Sequence, residues 1–122
     1  MSLAYAFVRW KPFRVEVSGS SMAPTLLPGD WALAVRSRRL LCGYVVVIEH
    51  PGRPGLEMVK RIAAGPGEPA PDGRVLADDQ WWVEGDAPRA STDSREFGPV
   101  ASAHVKAVVR LIYWPRARRR LL

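Results

Sequence analysis

Eleven prolines and ten glycines cut this 122-residue chain into short pieces, and that punctuation limits what it can fold into. Proline breaks a helix interior and glycine weakens one, so long helices are excluded and turns must be frequent. Between the breaks lie runs with the period of strands. Arg14-Val15-Glu16-Val17 alternates polar and apolar residues, as a half-buried strand does. Trp31 to Val35 follows the turn Pro28-Gly29-Asp30, and Tyr44 to Ile48 is a β-branched run bounded by Gly43 and Pro51-Gly52. Glu57 to Ile62, Trp81 to Val83 and Val105 to Tyr113 complete six strands, while Thr25 to Pro28 and Val100 to Ala103 are candidates for single helical turns. Strands without alternating helices predict a mainly β fold, a small twisted antiparallel β-sheet or barrel with few short helical turns, and not a doubly wound one.

At 48% apolar and 25% charged residues the composition is globular, and the length suits one domain over residues 1–122. The net charge of +6 collects toward the end, in Arg110, Arg116, Arg118, Arg119 and Arg120. Residues 114–122 therefore read as a basic tail, expected to be solvated and frayed. Cys42 is the single cysteine, so no intrachain disulfide can form, and its place in the run Leu40 to Ile48 suggests a small core residue. His50 and His104 have no Cys or carboxylate at metal-ligand spacing, so neither a metal nor another cofactor is expected. The opening Met1 to Val8 is apolar but stops at Arg9 and Lys11, short of the roughly 20 residues a membrane span needs. It also lacks the basic start and small-residue cleavage site of a secretory leader. A cytoplasmic protein with no stable membrane insertion is the resulting expectation, unless an apolar anchor precedes this stretch in the gene.

Four segments stand out; Cys42 to Pro51 reads as a core strand for packing and groove walls, and the other three carry candidate chemistry. In Ser18-Gly19-Ser20-Ser21-Met22-Ala23-Pro24 a strand ends in small residues at a turn, a junction that can lift a hydroxyl out of a sheet. In Glu57-Met58-Val59-Lys60-Arg61-Ile62 strand alternation puts Lys60 on one face with Met58 and Ile62, while Arg61 points away. A lysine with an ordinary pKa near 10.4 is neutral in only about 4 of 10,000 molecules at pH 7, so one acting as a base must be desolvated. The polar loop from Gly85 to Arg95 holds a possible Asp93–Arg95 pair, and Ser91 within it can hydrogen-bond the Lys60 amine.

Taken in order, these segments resemble the boxes of the type I signal peptidases, the Ser/Lys endopeptidase family. Ser21-Met22-Ala23-Pro24-Thr25-Leu26 is similar to the nucleophile box. Gly43 to Pro51 resembles the following strand box, with Tyr44 in place of its acid. Lys60-Arg61 through Gly67-Glu68 resembles the lysine box, with one residue shuffled in its loop. Gly85-Asp86, Ser91 to Arg95 and Gly98 to Val100 resemble the last box. The resemblance implies a signal-peptidase-type β fold with Ser21 as nucleophile and Lys60 as general base. It implies Ser91, Asp93 and Arg95 as supporting residues, and an oxyanion site and substrate groove involving Gly19, Ser20 and Met58. Some members have a serine two residues before the nucleophile, where this chain has Gly19, so the Ser21 backbone N–H must carry more of the oxyanion.

The short form of the chain, with Trp81-Trp82-Val83 before Gly85-Asp86 and Ser94-Arg95-Glu96-Phe97-Gly98 after, further resembles the nickel-type superoxide dismutase maturation protease. That narrower resemblance implies removal of an N-terminal propeptide from a dismutase precursor, a protein substrate held extended at its cleavage site. The alternatives are a type I signal peptidase cleaving secretory leaders, a self-cleaving repressor-type domain, and a basic nucleic-acid-binding β domain using Trp31, Trp81 and Trp82. The last is disfavoured because the charge gathers at the tail rather than among the aromatics, so no nucleic-acid partner is expected.

Overall fold

The computed structural model describes residues 13–122. Eight strands follow one another: β1 Phe13–Glu16, β2 Trp31–Val35, β3 Val45–Glu49, β4 Glu57–Ala64, β5 Gln80–Glu84, β6 Val100–Ala101, β7 Val105–Trp114 and β8 Arg120–Leu121. They form one antiparallel sheet in the order β1-β2-β7-β3-β4-β5-β6, with β8 added to β7. The sheet is open, not a closed barrel: β1 and β6 end the order without pairing each other. The expected strand Tyr44 to Ile48 lies one residue later, because Gly43 turns at φ +93 and Tyr44 N donates to Leu41 O in that turn.

Burial follows from the two-residue period of the strands. In β3 the four residues Val45 to Ile48 are all buried, which makes it the central strand with both faces covered. Val45 and Val47 pack with Val17, Met22, Leu26, Ala32, Ala34, Ala107, Val109 and Ile112 on one side. Val46 and Ile48 pack with Ile62, Val83, Val100 and Val108 on the other. A satellite cluster of Ala64, Ala70, Leu76 and Trp82 closes the excursion between β4 and β5.

Four local expectations are corrected. Thr25 to Pro28 is not a helix; a single turn closes earlier, where Leu26 N donates to Met22 O at 2.9 Å. Val100 to Ala103 is split between β6 and a 3-10 turn at Ser102–His104. The basic tail is not frayed: a 3-10 turn at Arg116–Arg118 swings the chain back and β8 pairs Leu111 and Ile112 of β7. Cys42 is no core residue either, since it is exposed in the turn before β3 and its thiol donates to Glu68 Oε1 at 3.1 Å. Met1 to Lys11, with its apolar opening, lies outside the described residues.

Candidate active site

Ser21 sits where β1 has given way to a turn. Gly19 allows the change of direction at φ +77, in the left-handed region that a side chain makes costly. Met22 and Leu26 are buried in the core and fix the turn from below, which leaves half-buried Ser21 at the rim. Its carbonyl accepts from Ala87 N at 2.8 Å. Its own N–H donates to no acceptor among the described residues. Four residues on, Thr25 Oγ1 donates to Asp86 Oδ2 at 2.6 Å, and Arg61 grips the same carboxylate through Nε and Nη2 at 2.9 and 2.8 Å.

Lys60 comes from the middle of β4. Strand parity turns it onto the same face as Ile62 and Met58, and it is 2% exposed. Among the described residues Nζ has one hydrogen-bond partner, Ser91 Oγ at 3.1 Å, and no carboxylate within salt-bridge distance. Burial pushes its pKa below the ordinary lysine range. The nearby Asp93 charge pulls it back up in part, and Arg95 pushes it down further. Ser91 passes the hydrogen bond on, its hydroxyl donating to Asp93 Oδ2 at 2.7 Å.

Asp93 is wholly buried, yet five donors hold it ionised. Besides Ser91 they are Gly85 N at 2.9 Å, Arg95 N at 3.1 Å, Arg95 Nε at 2.9 Å and Arg95 Nη2. Burial alone would raise its pKa; the hydrogen bonds from Arg95, Gly85 and Ser91 overcome that and hold it at about 2. The same carboxylate caps the helical turn Ser94–Phe97 and accepts Gly85 N, so the loop that presents Ser91 is fixed at both ends.

Ser21 and Lys60 line one cavity of about 450 Å³, together with Gly19, Met58, Val17 and Val59. No direct hydrogen bond joins the Ser21 hydroxyl to Lys60. Catalytic hydrogen bonds of this kind are often long until substrate binds. Gly85 shows how tightly the parts meet: a Cβ there would lie 2.2 Å from Ser91 Oγ and 2.6 Å from the Ser21 carbonyl oxygen. Ser20 is exposed and does not line the cavity, and the Arg95 side chain is 38% exposed behind Asp93.

Sequence reasoning did not single out Gly85, Asp86, Arg61, Thr25 or Asp30 as site residues. Gly85-Asp86 was visible as a motif, but its packing against Ser21 and Ser91 needs the fold. Arg61 does leave the lysine face, and there it ties β4 to Asp86 and the Ser21 turn. Among the described residues no three His, Cys, Asp or Glu side chains gather as a metal site would require.

The family model described as "Signal peptidase, peptidase S26" matches residues 1–71 and 68–114. A curated relative from Arabidopsis thaliana, named mitochondrial ATP-independent inner membrane protease subunit 1a, is 34% identical over 122 residues, spanning 82% of this chain and 69% of its own length. Mitochondrial inner membrane protease subunit 2 of Saccharomyces cerevisiae is 31% identical over 121 residues, spanning 84% of this chain and 68% of its own. Subunit 1 of Xenopus tropicalis is 30% identical over 120 residues, with 83% and 68% covered. These relatives overturn the expected cytoplasmic location, since they are named for an inner membrane. Among the described residues no helix is long and apolar enough to cross a membrane.

Proposed function

Because this chain belongs to the signal peptidase family, peptidase S26, we propose that it is a membrane-associated serine endopeptidase that cleaves precursor proteins with Ser21 and Lys60. The observation that carries this reading is Lys60, buried, without a carboxylate partner, and lining the same cavity as Ser21. A neutral amine has two N–H bonds and one lone pair. Ser91 takes one N–H, and because Ser91 gives its own proton to Asp93 it offers Lys60 only an acceptor. The lone pair is then left for the Ser21 hydroxyl.

In the first step Ser21 Oγ attacks the scissile carbonyl carbon while its proton moves to Lys60. The Ser21 N–H, without an acceptor among the described residues, is the donor available to the oxyanion. The carbon–nitrogen bond breaks as Lys60 returns the proton to the leaving amine. Water, deprotonated by Lys60, attacks the acyl ester; the ester carbon–oxygen bond breaks and Ser21 regains its proton.

The substrate enters as an added strand. Val17 N and O bond Asp30 and Gly29 on the β2 side, so alternation turns the N–H and C=O groups of Arg14 and Glu16 to the open edge of β1. Leu56 O and the backbone of Ile62 face β3, so Glu57 and Val59 present theirs on the other edge, where β5 pairs only Arg61 to Ala64. An extended peptide between these edges finds backbone partners, and alternate side chains meet an apolar floor of Val17, Met22, Val47 and Val59.

The family model, named for signal peptidases, favours a leader-bearing precursor, and the relatives, named for an inner membrane, favour one met at a membrane. The dismutase-precursor reading rests on the Trp81-Trp82-Val83 and Ser94 to Gly98 motifs alone. Incubating the protein with both kinds of precursor and mapping the new N-termini by mass spectrometry separates them. Ser21→Ala and Lys60→Ala are each expected to abolish cleavage, and the wild-type rate is expected to climb with pH as Lys60 becomes neutral. A flat profile from about pH 6 to 9 rules out a lysine base acting in that range.

A further inference from the structure

The returning C-terminal segment carries an arginine that no step above uses. After β7, Pro115 and the 3-10 turn at Arg116–Arg118 bring the Arg118 guanidinium against Asp30, 88 positions earlier in the chain. Arg118 Nε donates to both carboxylate oxygens, at 2.9 and 3.0 Å, and Nη2 donates to Oδ2 at 2.8 Å and to the Thr25 carbonyl at 3.3 Å. Arg120 Nη2 reaches the same Thr25 carbonyl at 3.1 Å. Asp30 is 2% exposed, so this is not a loose surface pair.

The carboxylate is also built into the turn that follows the serine. Asp30 Oδ2 accepts Leu27 N at 2.9 Å, Asp30 N donates to Leu27 O at 3.0 Å, and Leu26 N donates to the carbonyl of Met22, the neighbour of Ser21. Asp30 O in addition accepts Val17 N, at the point where β1 enters the Ser21 turn. One guanidinium thus holds the far end of the turn while Ala87 N holds Ser21 itself.

We propose that Arg118, gripping Asp30 and the Thr25 carbonyl, is a positioning residue that sets the Ser21 turn for attack. The inference rests on the Ser/Lys reading. Arg118 and Arg120 are not among the residues that line the cavity, and the strap reaches the β1 edge only through Asp30 O and Val17 N, so its loss is expected to act mainly on the Ser21 turn and so on attack geometry. A displacement of about 1 Å at a nucleophile can cost on the order of 100-fold in rate.

The test is steady-state cleavage, in the full chain, of a peptide long enough to fill both strand edges, by wild type, Ser21→Ala, Arg118→Ala and Arg118→Lys. For Arg118→Ala we expect kcat to fall by roughly 10- to 100-fold with KM within about twofold, and millimolar guanidinium to restore part of kcat. Guanidinium would only worsen a simple loss of stability. Arg118→Lys keeps a charge beside Asp30 but lacks the fork that also reaches Thr25 O, so it should fold and fall between the two. An inactive Ser21→Ala with unchanged kcat in both Arg118 variants overturns the positioning role. So does a loss in Arg118→Ala that only tracks its unfolded fraction, with Arg118→Lys at full rate. An active Ser21→Ala would instead overturn the dyad itself.

Discussion

Replacing Lys60 by methionine should make the protein more stable while destroying its activity. The buried ammonium is what methionine removes. It shares a strand face with Met58 and Ile62 and bonds one hydroxyl, and the Asp93 charge offsets its desolvation only in part, so the charged form is incompletely compensated for its lost water. Mutational data put the cost of burying a poorly compensated polar group at about 1–3 kcal/mol. The lost Lys60–Ser91 hydrogen bond offsets about 1 kcal/mol of the gain, and the near-isosteric swap adds little strain. A net gain of up to about 2 kcal/mol corresponds to a rise of up to roughly 8 °C in Tm for a domain of this size. The pH dependence carries the sign. A lysine whose folded pKa is lowered destabilises the fold fully below that pKa, because both states are then protonated and only the folded one is desolvated. Above it the folded state sheds its proton first, so the penalty shrinks with rising pH and vanishes near the unfolded value of about 10.4. Thermal melts of wild type and Lys60→Met from about pH 6 to 10 should show the variant ahead at the acid end and level at the alkaline end. A variant less stable throughout, or a gap that does not change with pH, would refute the reasoning.

Gly85→Ala should disable the enzyme, because its methyl would lie 2.2 Å from Ser91 Oγ and 2.6 Å from the Ser21 carbonyl oxygen. Something must shift, at about 1–3 kcal/mol, and kcat should fall by on the order of 100-fold, read by melting and by peptide cleavage. Asp93→Asn removes the charge and replaces one of the two oxygens that share five hydrogen bonds by an NH2 donor, and should cost about 2–3 kcal/mol at neutral pH. Since Asp93 is held at about 2 against an unfolded value near 3.9, its contribution is present above the unfolded value and lost as pH falls through about 2. Acid titration should therefore show the stability gap between wild type and variant closing over that window.

The β-sheet was legible because alternation and Pro/Gly breaks are local signals. Trp31 to Val35 was bounded as it is found, and the other five strands were found within one or two residues. Lys60 was readable for the same reason: parity with Met58 and Ile62 placed it on an apolar face before any coordinates did. The motif Ser91 to Arg95 was visible, but that Ser91 accepts from Lys60 depends on this loop folding back over β4, 31 residues earlier in the chain. The expected fraying of the tail missed the Asp30–Arg118 pair, since nothing local in either segment announces a partner 88 residues away. Cys42 was misplaced because an apolar run does not show where a turn ends and a strand begins. Ser20 was expected in the groove, but the turn leaves it outside the cavity lining.

Labelling lysine ε-carbons with carbon-13 and following the Lys60 resonance through a pH titration reads the amine at the centre of this chemistry. The midpoint should fall clearly below the ordinary lysine value of about 10.4 and should coincide with the rise in cleavage rate. A Lys60 signal that titrates near the ordinary value of about 10.4 would mean an ammonium at working pH and no general base.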